Sequence, residues 1–155
     1  MNLSEILTEK DIKVGFEAKS KEDVIKKLVS LFCSARKIND KSKCEKLEKS
    51  VLEREMSSST AVGHGLALPH TRIDGVVDRI SCFLAVAKKP VEFDAPDGQP
   101  VSIFLLVVSP KNAGGDYIKF LSHATRVLRH PEVRDKIISA KKPSEVLEAI
   151  RSAEI

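Results

Sequence analysis

The chain has 155 residues, 42% hydrophobic and 31% charged, the balance of an ordinary globular protein. That length suits one domain, residues 1–155, which buries roughly two-thirds of its unfolded surface without needing a disulfide or a metal. Lys and Arg number 26 against 22 Asp and Glu, a net charge of +4 that favours solubility and an anionic partner. The charges are interleaved, Trp is absent and Tyr occurs once, so a nucleic-acid partner is not expected. The longest apolar run, Ile103 to Val108, is strand-sized, and the N-terminus does not read as a signal peptide, so neither membrane insertion nor export is expected. Cys33, Cys44 and Cys82 form no C-x-x-C pair. They read as buried or inert thiols in a reducing cytoplasm, with neither a disulfide framework nor a zinc site.

In chain order, Ile12 to Glu17 alternates apolar and polar residues and predicts a short strand. Ser20, with Asp23 three residues on, opens a helix whose apolar face is Val24, Ile25, Leu28, Val29 and Phe32. Asn39-Asp40 breaks it, and a second helix runs from about Lys41 to Glu55 on a thin stripe of Leu47, Val51 and Leu52. Ser57 to Arg72 changes character, with hydroxyls, then glycines, then a short apolar stretch, then Pro69-His70. Strands follow at Ile80 to Ala87 and Val101 to Val108, separated by the turn formers of Phe93 to Pro100. Ile103 to Val108 is apolar at nearly every position, as in a strand buried on both faces. Three helices close the chain: Tyr117 to Arg129, Pro131 to Ser139, and one opened by Pro143-Ser144. The mixture predicts an α/β sheet covered by helices.

The chemistry concentrates between Arg54 and Arg72. Gly63 and Gly65 permit tight turns and a close approach of backbone N–H groups to a ligand. Ser57 to Thr60 supplies four hydroxyls, and Arg54 and Arg72 supply planar cationic forks suited to a phosphoryl oxyanion. Pro69 restricts the backbone before His70, whose neutral imidazole is a competent nucleophile near pH 7. The same residues also read as a loop histidine, turn glycines and a helix-ending hydroxyl run, so the residue types alone leave both readings open.

The pattern as a whole resembles one family. Gly65-Leu66-Ala67-Leu68-Pro69-His70 is similar to the G-[IV]-A-[IL]-P-H motif of the enzyme IIA domains of the bacterial phosphotransferase system. The type is the fructose/mannitol one, which includes the nitrogen-related regulatory IIA proteins. Three further segments agree in order and spacing. Glu53-Arg54-Glu55 with the Ser/Thr run resembles R-E-x-x-x-S-T. Phe93 to Val101 resembles F-D-A-x-D-x-x-P-V, and Asp116 to Leu128 resembles the family's helix with its L-x-x-L-x-x-x-L pattern.

The resemblance implies a mixed sheet of about five strands with helices on both faces. It implies a phosphotransferase component in which His70 accepts a phosphoryl group from the phosphocarrier HPr, or its nitrogen-branch paralogue. The group then passes to a IIB partner, or its presence is read as a signal by a regulatory target. Arg54 is implied to lie near the histidine and to offset phosphoryl charge. Ser59, Thr60, Gly63, His64, Gly65 and Tyr117 complete the expected phosphoryl-stabilising set, with no cofactor and no metal. A second reading keeps the fold but works chiefly by docking to partner proteins.

Two positions depart from the family pattern. His64 stands where most members carry Asn, six residues before His70, so that both rings are expected in one loop. Tyr117 replaces the family's second histidine at the start of a helix. As a lone tyrosine on an apolar face it reads equally as core and as site. His123 lies about 120° around that helix from Tyr117, which makes it a packed or rim residue rather than a substitute. His130 reads as a surface residue at the helix end.

Overall fold

In the computed structural model, which describes residues 1–155, the chain is organised around one strand. The elements in order are α1 (Leu3–Ile6), β1 (Ile12–Phe16), α2 (Lys21–Ala35), α3 (Lys41–Ser57), β2 (Ala61–Gly63), β3 (Leu66–Ala67), β4 (His70–Arg72), β5 (Ser81–Val91), β6 (Val101–Ser109), α4 (Gly115–Arg129), α5 (Pro131–Ser139) and α6 (Pro143–Ala153). Two 3-10 turns, Glu9–Asp11 and Lys111–Ala113, precede β1 and α4. No helix is long and apolar enough to cross a membrane.

β6 is the hub. It pairs antiparallel with β5 along one edge. Along the other edge it takes β3 and then β4, both parallel, with Leu66 opposite Ile103 and His70 opposite Val107. β1 adds parallel to β5, and β2 adds antiparallel to β3. Side chains of β6 alternate between two cores. Ile103, Leu105 and Val107 enter the core beneath α1, α4, α5 and α6, while Phe104, Leu106 and Val108 enter the core beneath α2 and α3. Those cores hold 23 and 20 buried residues, so neither face of the sheet is left to solvent. That is why this segment reads as a continuous apolar run.

Helix starts follow local chemistry. The Ser20 hydroxyl accepts from the Asp23 N–H, and the Asp40 carboxylate accepts from the N–H groups of Ser42 and Lys43. Pro131 and Pro143 occupy first-turn positions, where a missing N–H costs nothing.

The expected mixed sheet of about five strands flanked by helices is present, with six strands, and two expectations are corrected. The stretch from Ser57 to Arg72, in which no strand was expected, contains β2, β3 and β4. Strands of two or three residues are too short for an alternating pattern to register. His70 therefore opens a strand instead of lying in a loop. Finally, Cys33 and Cys44 are joined as a disulfide, with Cα atoms 6.4 Å apart. Lys37, in the left-handed region at φ 56°, turns the chain so that the first turn of α3 returns beside the last turn of α2. Cys82 is a free, fully buried thiol whose pKa burial pushes up, as expected of an inert cysteine.

Candidate active site at the β4 edge

β4 lies on the outer side of β6, held by the Val107 N–H donating to the Pro69 carbonyl (2.9 Å) and the Ile73 N–H donating to the Ser109 carbonyl (2.8 Å). Alternation along the strand sends Thr71 one way and His70 and Arg72 the other. The Thr71 hydroxyl meets Ser50 of α3 at 2.5 Å. On the other face the His70 ring packs against Tyr117 of α4, centroids 6.0 Å apart and planes tilted by 60°. The Arg72 guanidinium lies over the same tyrosine ring, 4.6 Å from its centroid. Arg54 lies one helical turn beyond Ser50 and reaches the same locality: its charge acts on both His70 and Tyr117. Its guanidinium also donates to the Ser58 carbonyl at the end of α3 (3.1 Å).

His70 is half-buried, and its Nδ1 lies 2.6 Å from the Leu68 carbonyl oxygen. A carbonyl only accepts, so Nδ1 carries the proton and Nε2 presents a lone pair. Burial is the main influence on this imidazole and lowers its pKa below 6.5. The Leu68 hydrogen bond opposes the shift, Arg54 adds to it, and the Glu55 carboxylate opposes it. The net result is a neutral ring of fixed tautomer at pH 7, the state a nitrogen nucleophile needs. The Tyr117 hydroxyl is pushed up to about 12, chiefly by burial, with Arg72 and Arg54 pulling the other way, so it stays protonated.

Ser59 and Thr60 stand close in sequence to this group, but their hydroxyls are engaged. Ser59 donates to the Phe93 carbonyl (2.7 Å). Thr60 donates to Glu55 (2.5 Å) through its hydroxyl and to the same carboxylate (2.8 Å) through its N–H. Glu55 is buried and completes its pairing with Lys21 at 3.0 Å. These contacts fix the end of α3, and with it Arg54.

The register corrects the expected placement of Gly63, His64 and Gly65. The Gly65 carbonyl accepts from Ser102 and Ile103, whereas His70 sits opposite Val107. Four residues along β6 separate the two levels by about 13 Å. The Gly63–Gly65 turn is therefore at the far end of the sheet from His70. It is a run of three left-handed residues, φ 88°, 59° and 72°, tied down by Asp97, which accepts from the His64 N–H (3.0 Å) and the Gln99 N–H (3.1 Å). Those backbone bonds, Gln99 first, hold the Asp97 carboxyl below its usual pKa. The His64 ring meets Arg129, the last residue of α4, at 3.3 Å. Tyr117 lies twelve residues earlier on that helix, about 18 Å away along its axis.

His123 pairs with Glu154 at 2.5 Å, and Glu154 also accepts from the N–H groups of Leu3 and Ser4, so this histidine clamps the two chain ends together. His130 is exposed between α4 and α5, as expected. No group of three or more His, Cys, Asp or Glu is placed to hold a metal. Sequence reasoning overlooked Leu68 and Ser50. Leu68 had a signal in its position two residues before His70, but Ser50 had none.

The chain is an α/β domain with a six-stranded mixed sheet that carries a half-buried, neutral histidine on β4, with Arg72 on the same strand and the charge of Arg54 acting on it. Residues 5–153 match the family model described as "Phosphoenolpyruvate-dependent sugar phosphotransferase system, EIIA 2", and the chain belongs to that family. It is 29% identical over 150 residues to the fructose-specific EIIABC component of Bacillus subtilis, covering 97% of this chain but 23% of that protein. It is 31% identical over 140 residues to a nitrogen regulatory protein of Pseudomonas aeruginosa, covering 90% of this chain and 88% of the relative. Among solved structures it superposes on the nitrogen regulatory protein IIA-Ntr of Neisseria meningitidis with a TM-score of 0.84 at 26% identity, covering 96% and 98% of the two chains.

Proposed function

We propose that this protein is a phosphocarrier in which His70 Nε2 accepts a phosphoryl group from the phosphohistidine of an HPr-like protein. It passes the group to a IIB domain, or signals by its phosphorylation state to a regulatory target. The single observation that carries the proposal is the His70 geometry: Nδ1–H committed to the Leu68 carbonyl, Nε2 unprotonated, and Arg54 at hand. The action belongs in the cytoplasm, where such a donor would be met.

In the transfer, the Nε2 lone pair forms a bond to phosphorus while the donor's P–N bond breaks and its electron pair returns to the donor imidazole. The transition state is loose and in line, so the protein contributes position and charge compensation rather than covalent help. His70 enters neutral and becomes a cationic ring carrying Nδ1–H and the phosphoryl group. The Leu68 carbonyl strengthens its hold as that N–H grows more acidic, and Arg54 offsets the incoming negative charge of about −1.5 to −2. No nucleotide or metal enters the step.

The regulatory outcome is supported by the resemblance to a nitrogen regulatory protein.

The test is incubation with a phosphorylated HPr-like carrier. The expected product is an acid-labile, alkali-stable phosphoryl group on this chain, and no label refutes the reading. A titration of the His70 ring by NMR adds a signed prediction. Its pKa is depressed, so the midpoint falls below 6.5 and the ring is neutral above it. The stability it lends is complete above 6.5 and is lost as pH falls toward the lower, folded-state midpoint. A midpoint at or above 6.5 contradicts the burial of the ring.

A further inference from the structure

We propose that Tyr117 serves the site through the face of its ring, holding the Arg72 guanidinium so that Arg72 and Arg54 together offset the charge on phosphorylated His70. The inference rests on the phosphocarrier reading above and adds to it a second arginine and a positioning residue. It is a different role from hydrogen-bond donation by the tyrosine hydroxyl.

Three observations support it. First, His70 and Arg72 are two residues apart on one strand, so both side chains leave β4 on the same face, beside each other. Second, Arg72 is exposed, and an exposed arginine ordinarily samples many rotamers. Here the guanidinium lies 4.6 Å from the Tyr117 centroid, a stacking and cation–π contact that confines it over one spot. Third, the same tyrosine ring lies 6.0 Å from the His70 ring, tilted by 60°. One aromatic ring thus touches both the nucleophile and the cation beside it. Tyr117 itself cannot drift, because it is only 5% exposed and packs with Phe120 and Ala124 in the core under α4.

A phosphoryl group on Nε2 meets a guanidinium that has already lost much of its rotamer freedom, so less ordering is needed at the moment of transfer. Arg54 approaches from α3 and Arg72 from β4, so the two guanidiniums come from different elements. Glu55, the acidic group that acts electrostatically on His70, is held by Lys21 and Thr60.

The experiment measures phosphoryl acceptance from the phosphorylated carrier by the unaltered protein and by Tyr117→Phe, Tyr117→Leu, Arg72→Gln and the Tyr117→Leu/Arg72→Gln double variant. Arg72→Gln is expected to slow acceptance about tenfold, the worth of one charge-assisted hydrogen bond. Tyr117→Leu, which removes the stacking face, should lose most of that factor, and Tyr117→Phe should restore it to within about threefold. The double variant should be no slower than about the slower single variant, since the two changes remove one coupled unit. Circular dichroism and melting of each variant separate a folding failure from a site effect, and Arg72→Gln, being at the surface, keeps the fold. Equal losses in the Phe and Leu variants would assign the role to the hydroxyl and overturn the inference. So would an Arg72→Gln variant as fast as the unaltered protein, or fully multiplicative losses in the double variant. If the unaltered protein accepts no phosphoryl group, the phosphocarrier reading itself fails; if it does and all variants match it, only the Tyr117–Arg72 inference fails.

Discussion

Replacing His70 by Gln is expected to reduce phosphoryl acceptance by more than about 10³-fold, because it removes the only group proposed to form the bond to phosphorus. Gln is close to His in reach and keeps an amide, so the variant does not open a large hole at the β4 edge. The folding cost should be small. The lost Nδ1–H hydrogen bond to Leu68 is worth about 1 kcal/mol, and a domain of this size loses about 2–4 °C of melting temperature per kcal/mol. Large loss of transfer with small loss of stability is the signature expected of a nucleophile. Residual labelling above a few per cent, with label on another residue, would show that His70 is not the acceptor.

Phe104→Ala is expected to produce the opposite pattern: a large loss of stability with no direct contact to the transferring atoms. Phe104 is fully buried in the central strand. Its ring packs on Phe93 at 5.3 Å and Phe16 at 6.0 Å, joining β6 to β1 and to the segment that follows β5. Truncation leaves a phenyl-sized void, for which about 3–5 kcal/mol is typical, with the lost aromatic pairs included in that figure. The melting temperature should fall by about 6–20 °C. A fall under about 2 °C would contradict the packing described for the core beneath α2 and α3. The functional consequence is indirect, since β4 hangs on the same strand, with His70 opposite Val107.

Much of this architecture was readable because local chemistry decides it. Ser20, Asp40, Pro131 and Pro143 announce helix starts, and the unbroken apolar run of β6 announces burial on both faces. His70 stood out through the Pro-His motif and its surroundings. What failed was inference from nearness in sequence. His64 and His70 are six residues apart and were expected in one loop, but six residues in extended conformation span about 20 Å. The chain uses that length to run along β6 from the level of Ile103 to that of Val107, carrying Gly63, His64 and Gly65 away from the site. The reverse held for Tyr117 and Arg72, forty-five residues apart yet stacked. The core and site readings of Tyr117 were not alternatives: it is buried under α4 and still faces His70. The Cys33–Cys44 pairing depended on the left-handed turn at Lys37, which the helical pattern on either side does not disclose.

The aromatic motif around Phe93 also gains a physical reading. Phe93 itself is core, and Asp97 holds the His64 N–H and thereby the turn between β2 and β3. Four separated segments are therefore tied into one framework. The end of α3 is fixed by Glu55, Thr60 and Lys21, β4 by β6, and the start of α4 by the packing of Tyr117. The edge that carries His70 owes its shape to contacts made well away from it.

The central claim is that His70 is phosphorylated on Nε2 while Nδ1 keeps its proton on the Leu68 carbonyl. The most direct test is to phosphorylate the protein with an HPr-like carrier, locate the modified residue by mass spectrometry, and identify the nitrogen by NMR of the imidazole and phosphorus nuclei. The account predicts one phosphoryl group, on His70, bonded to Nε2. A phosphoryl group on Nδ1, on another residue, or on none would contradict it.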